Sequence, residues 1–482
     1  MPPSLARSST GRNRPARAGS VSSVIVIVAD DLGYGDLGAF GNELVATPHL
    51  DRLAAEGVAL TQHYSASPMC APARASLLTG RYNHRTGAVD VPSNRGLDRI
   101  CLSERTVADR FAAAGYATGM VGKWHNGHFD RRYHPNQRGF DEFAGFLNGG
   151  MDYWRWVLDR NGVQRPADGR YLTDVFADEA ASFVRRHAGE PFFLYVAFNA
   201  PHRPFQAPEH LLRRYRERGD LTEAVCAVYA MVEAMDRAVG QLLETVEECG
   251  LSQDTVVLFT SDNGPDMGGQ VQQSAARYNG RFSGSKGDVL EGGIRVPALV
   301  RAPALLPAGR RCDEVVHFAD WLPTLAGLAG VQAQGGKPLD GVDVAPALRG
   351  EAAGPEREHF WQWNRYEPVA HCNAAMRDGP WKLVWPSLAE ARVKDPSDDE
   401  PYRLGLTSPH RLGPLDTGLP ERALPPPQPP RLFDLSRDPF EQVDLAAQHP
   451  DRVRRMACRW EAWFETVTAE WRRAYAAHTA LS

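Results

Sequence analysis

The chain has 482 residues, 43% hydrophobic and 23% charged, with a formal net charge of −5. A chain of that length builds a core without disulfide or metal staples, and its composition excludes a disordered or fibrous protein. The slightly acidic balance lacks the basic footprint of a nucleic-acid binder, so no nucleic-acid partner is expected and a soluble enzyme is the leading class.

The first 23 residues, MPPSLARSSTGRNRPARAGSVSS, are basic and rich in Ser and Pro and read as a disordered tail. The apolar run that follows is too short for a signal peptide or a membrane span, so a cytoplasmic protein without membrane contact is expected. That run, VIVIV at 24–28, is β-branched throughout and predicts a strand buried on both faces of a parallel sheet. It ends in Ala29-Asp30-Asp31 and a Gly-rich loop. Thr47-Pro48 followed by HLDRLAAEG predicts an N-cap, Pro at N1, a short amphipathic helix and a Gly stop.

The alternation continues down the chain. RTVADRFAAAG predicts a helix feeding the strand YATGMVG, and TDVFADEAASFVRRH one feeding FFLYVAF at 192–198. A long helix over roughly 221–249 feeds VVLFTSD at 256–262. The expected fold class is α/β, a mostly parallel sheet with helices on both faces, over residues 24–370. From 371 to 482 a smaller α+β domain with a short antiparallel sheet is expected. AAMRDGPWKLVWP reads as a strand pair, 395–430 as loop with the stiff PPPQPP linker, RLFDL as a short strand, and 451–475 as an amphipathic helix.

The seven cysteines, at 70, 101, 226, 249, 312, 372 and 458, are scattered without a CxxC or Cys/His cluster. Neither a zinc site nor a disulfide framework is supported, which fits a reducing compartment. Of the 54 lysines and arginines only five are lysines: Lys123, Lys286, Lys337, Lys382 and Lys394. A chain this rich in Arg keeps Lys where a compact point charge is wanted, or by chance.

Ligands of open α/β sheets gather outside the C-terminal ends of strands. Two strands here end in acids, Asp30-Asp31 and Asp262-Asn263, an all-oxygen set suited to Ca²⁺ or Mg²⁺ rather than zinc. Taken alone, an Asp-Asp pair is more often a solvated turn or a helix cap; two acidic strand ends in one sheet make the two readings even. In SPMCAPARASLLTGR (67–81) Cys70 falls at or near a helix N-cap, where free N–H groups favour an anion, and Arg74 lies one turn on. A free Cys is also commonly just a small buried hydrophobe.

Cys70-Ala71-Pro72-Ala73-Arg74, followed by SLLTGR at 76–81, resembles the signature of the sulfatase family, formylglycine-dependent and alkaline phosphatase-like. Other blocks agree in order: Gly122-Lys123-Trp124-His125, Ala200-Pro201-His202-Arg203-Pro204, Ser261-Asp262-Asn263-Gly264, Gly284-Ser285-Lys286-Gly287 and Glu291-Gly292-Gly293-Ile294-Arg295-Val296-Pro297. LFDLSRDPFEQVDLA at 432–446 resembles the family's second-domain turn. The resemblance spans about 23–470, apart from the loop at about 385–430. One departure is Asn126, where members often carry an aliphatic residue; it is expected to alter the pocket wall. The E-G-G-x-R turn is given no catalytic role.

The resemblance implies hydrolysis of an aryl or carbohydrate sulfate ester. Cys70, converted to formylglycine by a maturation enzyme, is the implied nucleophile. One hydroxyl of its aldehyde hydrate attacks sulfur and the other collapses to expel sulfate, an exit a thiolate lacks. Asp30, Asp31, Asp262 and Asn263 are implied to hold one divalent cation, calcium ahead of magnesium, together with modified Cys70. Arg74 would stabilise the hydrate, and Lys123 and Lys286 would contact the sulfate oxygens. His125 would serve as base for the collapse and His202 the leaving-group side. The rivals are a phosphonate monoester or phosphodiester hydrolase on the same site and a non-catalytic binder of sulfated glycans.

Specificity is expected in loops 128–170, 265–283 and 360–430. The aromatic and Arg residues Tyr153, Trp154, Arg155, Trp156, Trp361, Trp363, Arg365 and Tyr366 suit either a substrate ring or packing between domains.

Overall fold

The computed structural model describes residues 22–267, 274–332, 335–408, 411, 413 and 418–479. The expected tail lies outside them except for its last two residues, and Ser23 already opens the first strand.

Ten strands form one sheet: β1 (Ser23–Ala29), β2 (Val58–Tyr64), β3 (Ala117–Lys123), β4 (Glu142–Phe146), β5 (Val157–Arg160), β6 (Val163–Pro166), β7 (Phe192–Ala197), β8 (Thr255–Ser261), β9 (Ala298–Arg301) and β10 (Arg310–His317). Their order is β10-β2-β9-β8-β1-β7-β3-β4-β5-β6. The centre, β8-β1-β7-β3-β4, is parallel as the alternation predicted. Beyond it β9 runs antiparallel between β2 and β8, and β5-β6 add an antiparallel hairpin at one edge.

The β-branched run of β1 feeds a core on each face. Ile25 and Ile27 point to the cluster closed by the helices Leu172–Arg186 and Glu223–Glu248. Val24, Val26 and Val28 point to the cluster closed by Cys70–Thr79, Val107–Ala113 and Trp321–Leu328. Burial on both faces is why the strand carries no polar alternation. The helix Val107–Ala113 starts from a capping box between Thr106 and Asp109.

A second, antiparallel sheet is ordered β11 (Glu358–Gln362), β12 (Ala374–Asp378), β13 (Trp381–Trp385) and β14 (Arg431–Asp434). Its first strand therefore lies ahead of residue 371. The terminal helix Pro450–Thr479 covers it with Met456, Trp460 and Phe464. The stretch expected as loop, 395–430, contains a helix at Asp399–Thr407. Only Gly405 of that helix is fully buried, so it leaves no apolar period in the sequence.

A buried triad joins the two sheets. Lys382 Nζ lies 2.9 Å from Glu291 and 2.8 Å from Glu441, and Tyr64 Oη donates to Glu291 at 2.6 Å. Glu291 of the E-G-G-x-R turn is thus engaged in holding the sheets together. All seven cysteines are free. Among the described residues no helix is long and apolar enough to cross a membrane.

Candidate active site

Four neighbouring parallel strands deliver the site to one edge of the sheet. Ala29 of β1 is level with Ser261 of β8, so Asp30-Asp31 and Asp262-Asn263 leave the sheet side by side. β3 ends on Lys123, and the chain after β7 carries His202. Gly122 makes the end of β3 possible: its φ is +102°, and a Cβ there would lie 2.0 Å from the Ala197 carbonyl. Asp31 itself is left-handed, at φ +64°, a conformation that Asp tolerates better than most residues. Its backbone N–H donates to Asp262 Oδ1 at 3.1 Å.

Three carboxylates face three cations. Lys123 Nζ lies 2.7 Å from Asp30 Oδ2, Lys286 Nζ lies 2.6 Å from Asp31 Oδ2, and Arg74 reaches Asp262 Oδ2 with Nε at 2.8 Å and Nη2 at 2.7 Å. Arg74 Nη2 is also 3.5 Å from Asp30 Oδ1. Cys70 is the first residue of its helix, whose cap position, Met69, has no side-chain cap. Arg74 stands one turn later, and the left-handed Gly80 ends the helix.

The donor atoms converge. Those of Asp30, Cys70 and Asp262 lie within 4.8 Å of one another, as do those of Asp30, Asp31 and His202. Asp30 Oδ1 and Asn263 Oδ1 are buried without a hydrogen-bond partner. Buried oxygens left open among carboxylates are what a hard cation satisfies, so these residues fit one. His202 is a donor that the strand-end reading did not include.

Burial drives most of the protonation behaviour. It pushes the Cys70 thiol above its ordinary value despite Lys123 and Lys286, so an unmodified Cys70 is a protonated, poor nucleophile at neutral pH. Burial also works to raise Asp31, but Lys286 and Lys123 take it well below the carboxylate range. His125 is held well below the usual imidazole value by burial and Lys123, and His202 by burial and Lys286. Both rings are therefore neutral. His125 Nε2 faces the Val91 carbonyl at 3.2 Å and His202 Nδ1 the Arg203 carbonyl at 2.6 Å. A carbonyl only accepts, so those nitrogens carry the protons, leaving lone pairs on His125 Nδ1 and His202 Nε2.

Cys70, His125, His202 and Lys286 line a cleft of about 410 Å³. Arg74, Lys123 and the four strand-end residues are wholly buried beneath it. Arg74 and Lys123 therefore meet the carboxylates directly and present no surface to the cleft. Asn126 does not line the cleft as expected. Its Nδ2 donates to the carbonyls of Ala71 at 3.0 Å and Asp98 at 3.1 Å, tying the β3 turn to the Cys70 helix.

Each expected specificity loop reaches the cleft: 128–170 through Phe129 and Asn148–Gly150, 265–283 through Asp266, and 360–430 through Trp363, Arg365 and the helix bearing Tyr402 and Leu406. Residues 268–273 of the second loop, and 409–410, 412 and 414–417 of the third, lie outside the described residues. Of the singled-out aromatics, Tyr153, Trp156, Trp361 and Tyr366 are buried packing residues, and Trp154 is exposed away from the cleft. Sequence reasoning missed Val91–Asn94, a wall segment with no charge or motif to mark it. It also missed Asn373, whose partners belong to two separate segments, Gly287–Val289 and Trp363.

Comparison with known proteins places nearly the whole chain among known relatives. A family model described as Sulfatase matches residues 22–331. Steryl-sulfatase of Mus musculus is 33% identical, over 91% of this chain and 81% of that protein. Arylsulfatase A of Homo sapiens is 32% identical, over 88% of this chain and 83% of that protein. The crystal structure of Ps i-CgsB in complex with k-i-k-neocarrahexaose superimposes with a TM-score of 0.77 at 28% identity, covering 94% of this chain and 97% of that one.

Proposed function

The chain belongs to the sulfatase family and is a sulfuric ester hydrolase, and from that premise we propose that Cys70, matured to formylglycine, is its nucleophile. Asp30, Asp31, Asp262 and Asn263 hold one divalent cation beside it, calcium ahead of magnesium, because the open donors are oxygens on a wide carboxylate cluster. The observation that carries this reading is the convergence of the Cys70 sulfur with Asp30 and Asp262 under a cleft that also receives Lys286. When present, the cation supplies charge against the sulfuryl oxygens and the aldehyde supplies a regenerable oxygen nucleophile.

The chain's own residues do the rest. Lys286, at the cleft floor, meets a sulfate oxygen directly. Lys123 and Arg74 act from below, fixing Asp30 and Asp262 and balancing their charge. His125 takes or releases a proton at Nδ1, and His202 serves the leaving alcohol at Nε2. A maturation enzyme is the required partner.

The alcohol is read from the cleft mouth. Its cations are already matched: Arg203 with Asp266 at 2.6 Å, Arg365 with Asp90 at 3.1 Å, Arg392 with Asp288 at 2.7 Å, and Lys394 with Asp399. Asp90 is wholly buried, so drawing Arg365 away to a substrate anion would leave a buried carboxylate without its counter-ion. Met69, Val91, Phe129, Tyr402 and Leu406 give the same mouth an apolar lining. An ester of an uncharged, largely apolar alcohol suits it better than a multiply sulfated sugar. Two relatives' names, steryl-sulfatase and arylsulfatase, describe esters of that kind.

The test is peptide mass spectrometry of the Cys70 segment from protein made in its native host, with parallel assays on an aryl sulfate and an aryl phosphonate ester. Formylglycine with preferential sulfate release is the expected result. Unmodified cysteine from a host whose maturation enzyme is active would overturn the nucleophile, and preferential phosphonate cleavage would overturn the substrate.

A further inference from the structure

Lys286 sits on a short loop, and what fixes that loop lies in the other sheet. Asn373 immediately precedes β12 and is buried, with φ +46°. Its amide Nδ2 donates to the Gly287 carbonyl at 2.7 Å and to the Trp363 carbonyl at 2.7 Å, and its Oδ1 accepts from the Val289 N–H at 3.1 Å. Reversed, the amide would set an oxygen against two carbonyl oxygens, so the three bonds define one orientation. Gly287 in turn donates its N–H to the Pro68 carbonyl, 2.9 Å away, two residues before Cys70. It does so at φ +87°, which glycine adopts without strain. Lys286 donates its own N–H to the Pro265 carbonyl at 3.0 Å, just past Asp262-Asn263.

One side chain therefore ties together the residue after Lys286, the cleft-wall residue Trp363, and through Gly287 the approach to Cys70. We propose that Asn373 is a positioning residue: it sets the Lys286 ammonium in register with Cys70, and so couples the small antiparallel sheet to sulfate binding. This rests on the reading of Lys286 as a sulfate contact.

Asn373→Asp keeps the shape and the left-handed backbone but places an oxygen against the two carbonyls. The experiment is a double-mutant cycle in the full-length, matured protein, combining Asn373→Asp with Lys286→Ala. It is read by kcat and KM on 4-nitrophenyl sulfate and by calorimetric affinity for inorganic sulfate, with thermal melting followed alongside. Asn373→Asp alone should lower kcat by about 10- to 100-fold, with a smaller change in KM. It should also weaken sulfate binding. In the Lys286→Ala background the same change should have little further effect on either readout.

A purely architectural Asn373 would give effects that add in the two backgrounds and follow the loss of melting temperature, and that result overturns the proposal. If the wild type turns over no sulfate ester but the cycle on sulfate affinity is still non-additive, the reading of the reaction fails while the positioning role stands.

Discussion

Arg74 grips Asp262 with two nitrogens on one carboxylate oxygen, Nε at 2.8 Å and Nη2 at 2.7 Å, and neither side chain has any exposed surface. The same guanidinium donates from Nη1 to the carbonyl of Lys123 at 3.3 Å, so one side chain spans the ends of β8 and β3. A positive group fixed this deep is part of the fold before it is part of the chemistry.

Arg74→Ala is accordingly expected to destabilise the protein by about 3–5 kcal/mol, because it leaves the charge of Asp262 buried without its partner. Urea unfolding measures this. Removing both partners, Arg74→Ala with Asp262→Ala, should cost less than the sum of the single changes. Equal, additive losses would show that the pair is not coupled.

Calcium added to the protein should raise the melting temperature in a saturable way, since a ligand that binds only the folded state stabilises it by about 2.7 kcal/mol at a hundred times its Kd. Magnesium should do so less, and a chelator should reverse the gain. Asp31→Asn, which removes one of the converging carboxylates, should abolish the response. A melting temperature indifferent to both cations in the parent protein would remove the metal from this cluster.

The buried histidines should cost stability on mild acidification. Burial takes His84 down to about 4, His128 to about 4 and His63 to about 3. The unfolded chain protonates these rings near pH 6.5 while the folded chain does not. Each therefore contributes stability that is complete above about pH 6.5 and is lost as the pH falls toward its folded value, at up to about 1.4 kcal/mol per pH unit. Asp98 and Glu441, raised by burial to about 7, and Asp236 and Asp262, raised by burial to about 6, act in the opposite sense as the pH falls toward 4, so the histidine contribution is isolated by substitution. His84 Nε2 lies 3.0 Å from Gln362 Oε1. His84→Gln should thus flatten the slope of unfolding free energy between pH 6.5 and 4.5, as read by urea titration. An unchanged slope would assign the acid sensitivity elsewhere.

What could be read from the sequence follows a physical pattern. β1 was legible because a strand buried on both faces is written as an unbroken β-branched run. The Cys70 helix was legible because Pro near its start and Gly at its stop punctuate it. The strand-end acids were legible because parallel strands deliver their C-termini to one edge. The antiparallel insertion of β9 was not, since four residues buried on both faces look the same in either direction. Nor was the helix Asp399–Thr407, which buries almost nothing. The motif lysine Lys123 was found, yet its partner Asp30, and hence its place beneath the cleft rather than in it, depends on a contact across 93 residues. Asn373 carried no signal, because its role consists of partners 84, 86 and 10 residues away.

The Lys382 ammonium between Glu291 and Glu441 bears on how such enzymes can be recombined. A C-terminal half transplanted from another sulfatase must bring its own cation to that spot, or the host's buried Glu291 keeps only Tyr64 and Arg295 against its charge. A seam between β11 and β13 therefore divides a single electrostatic unit.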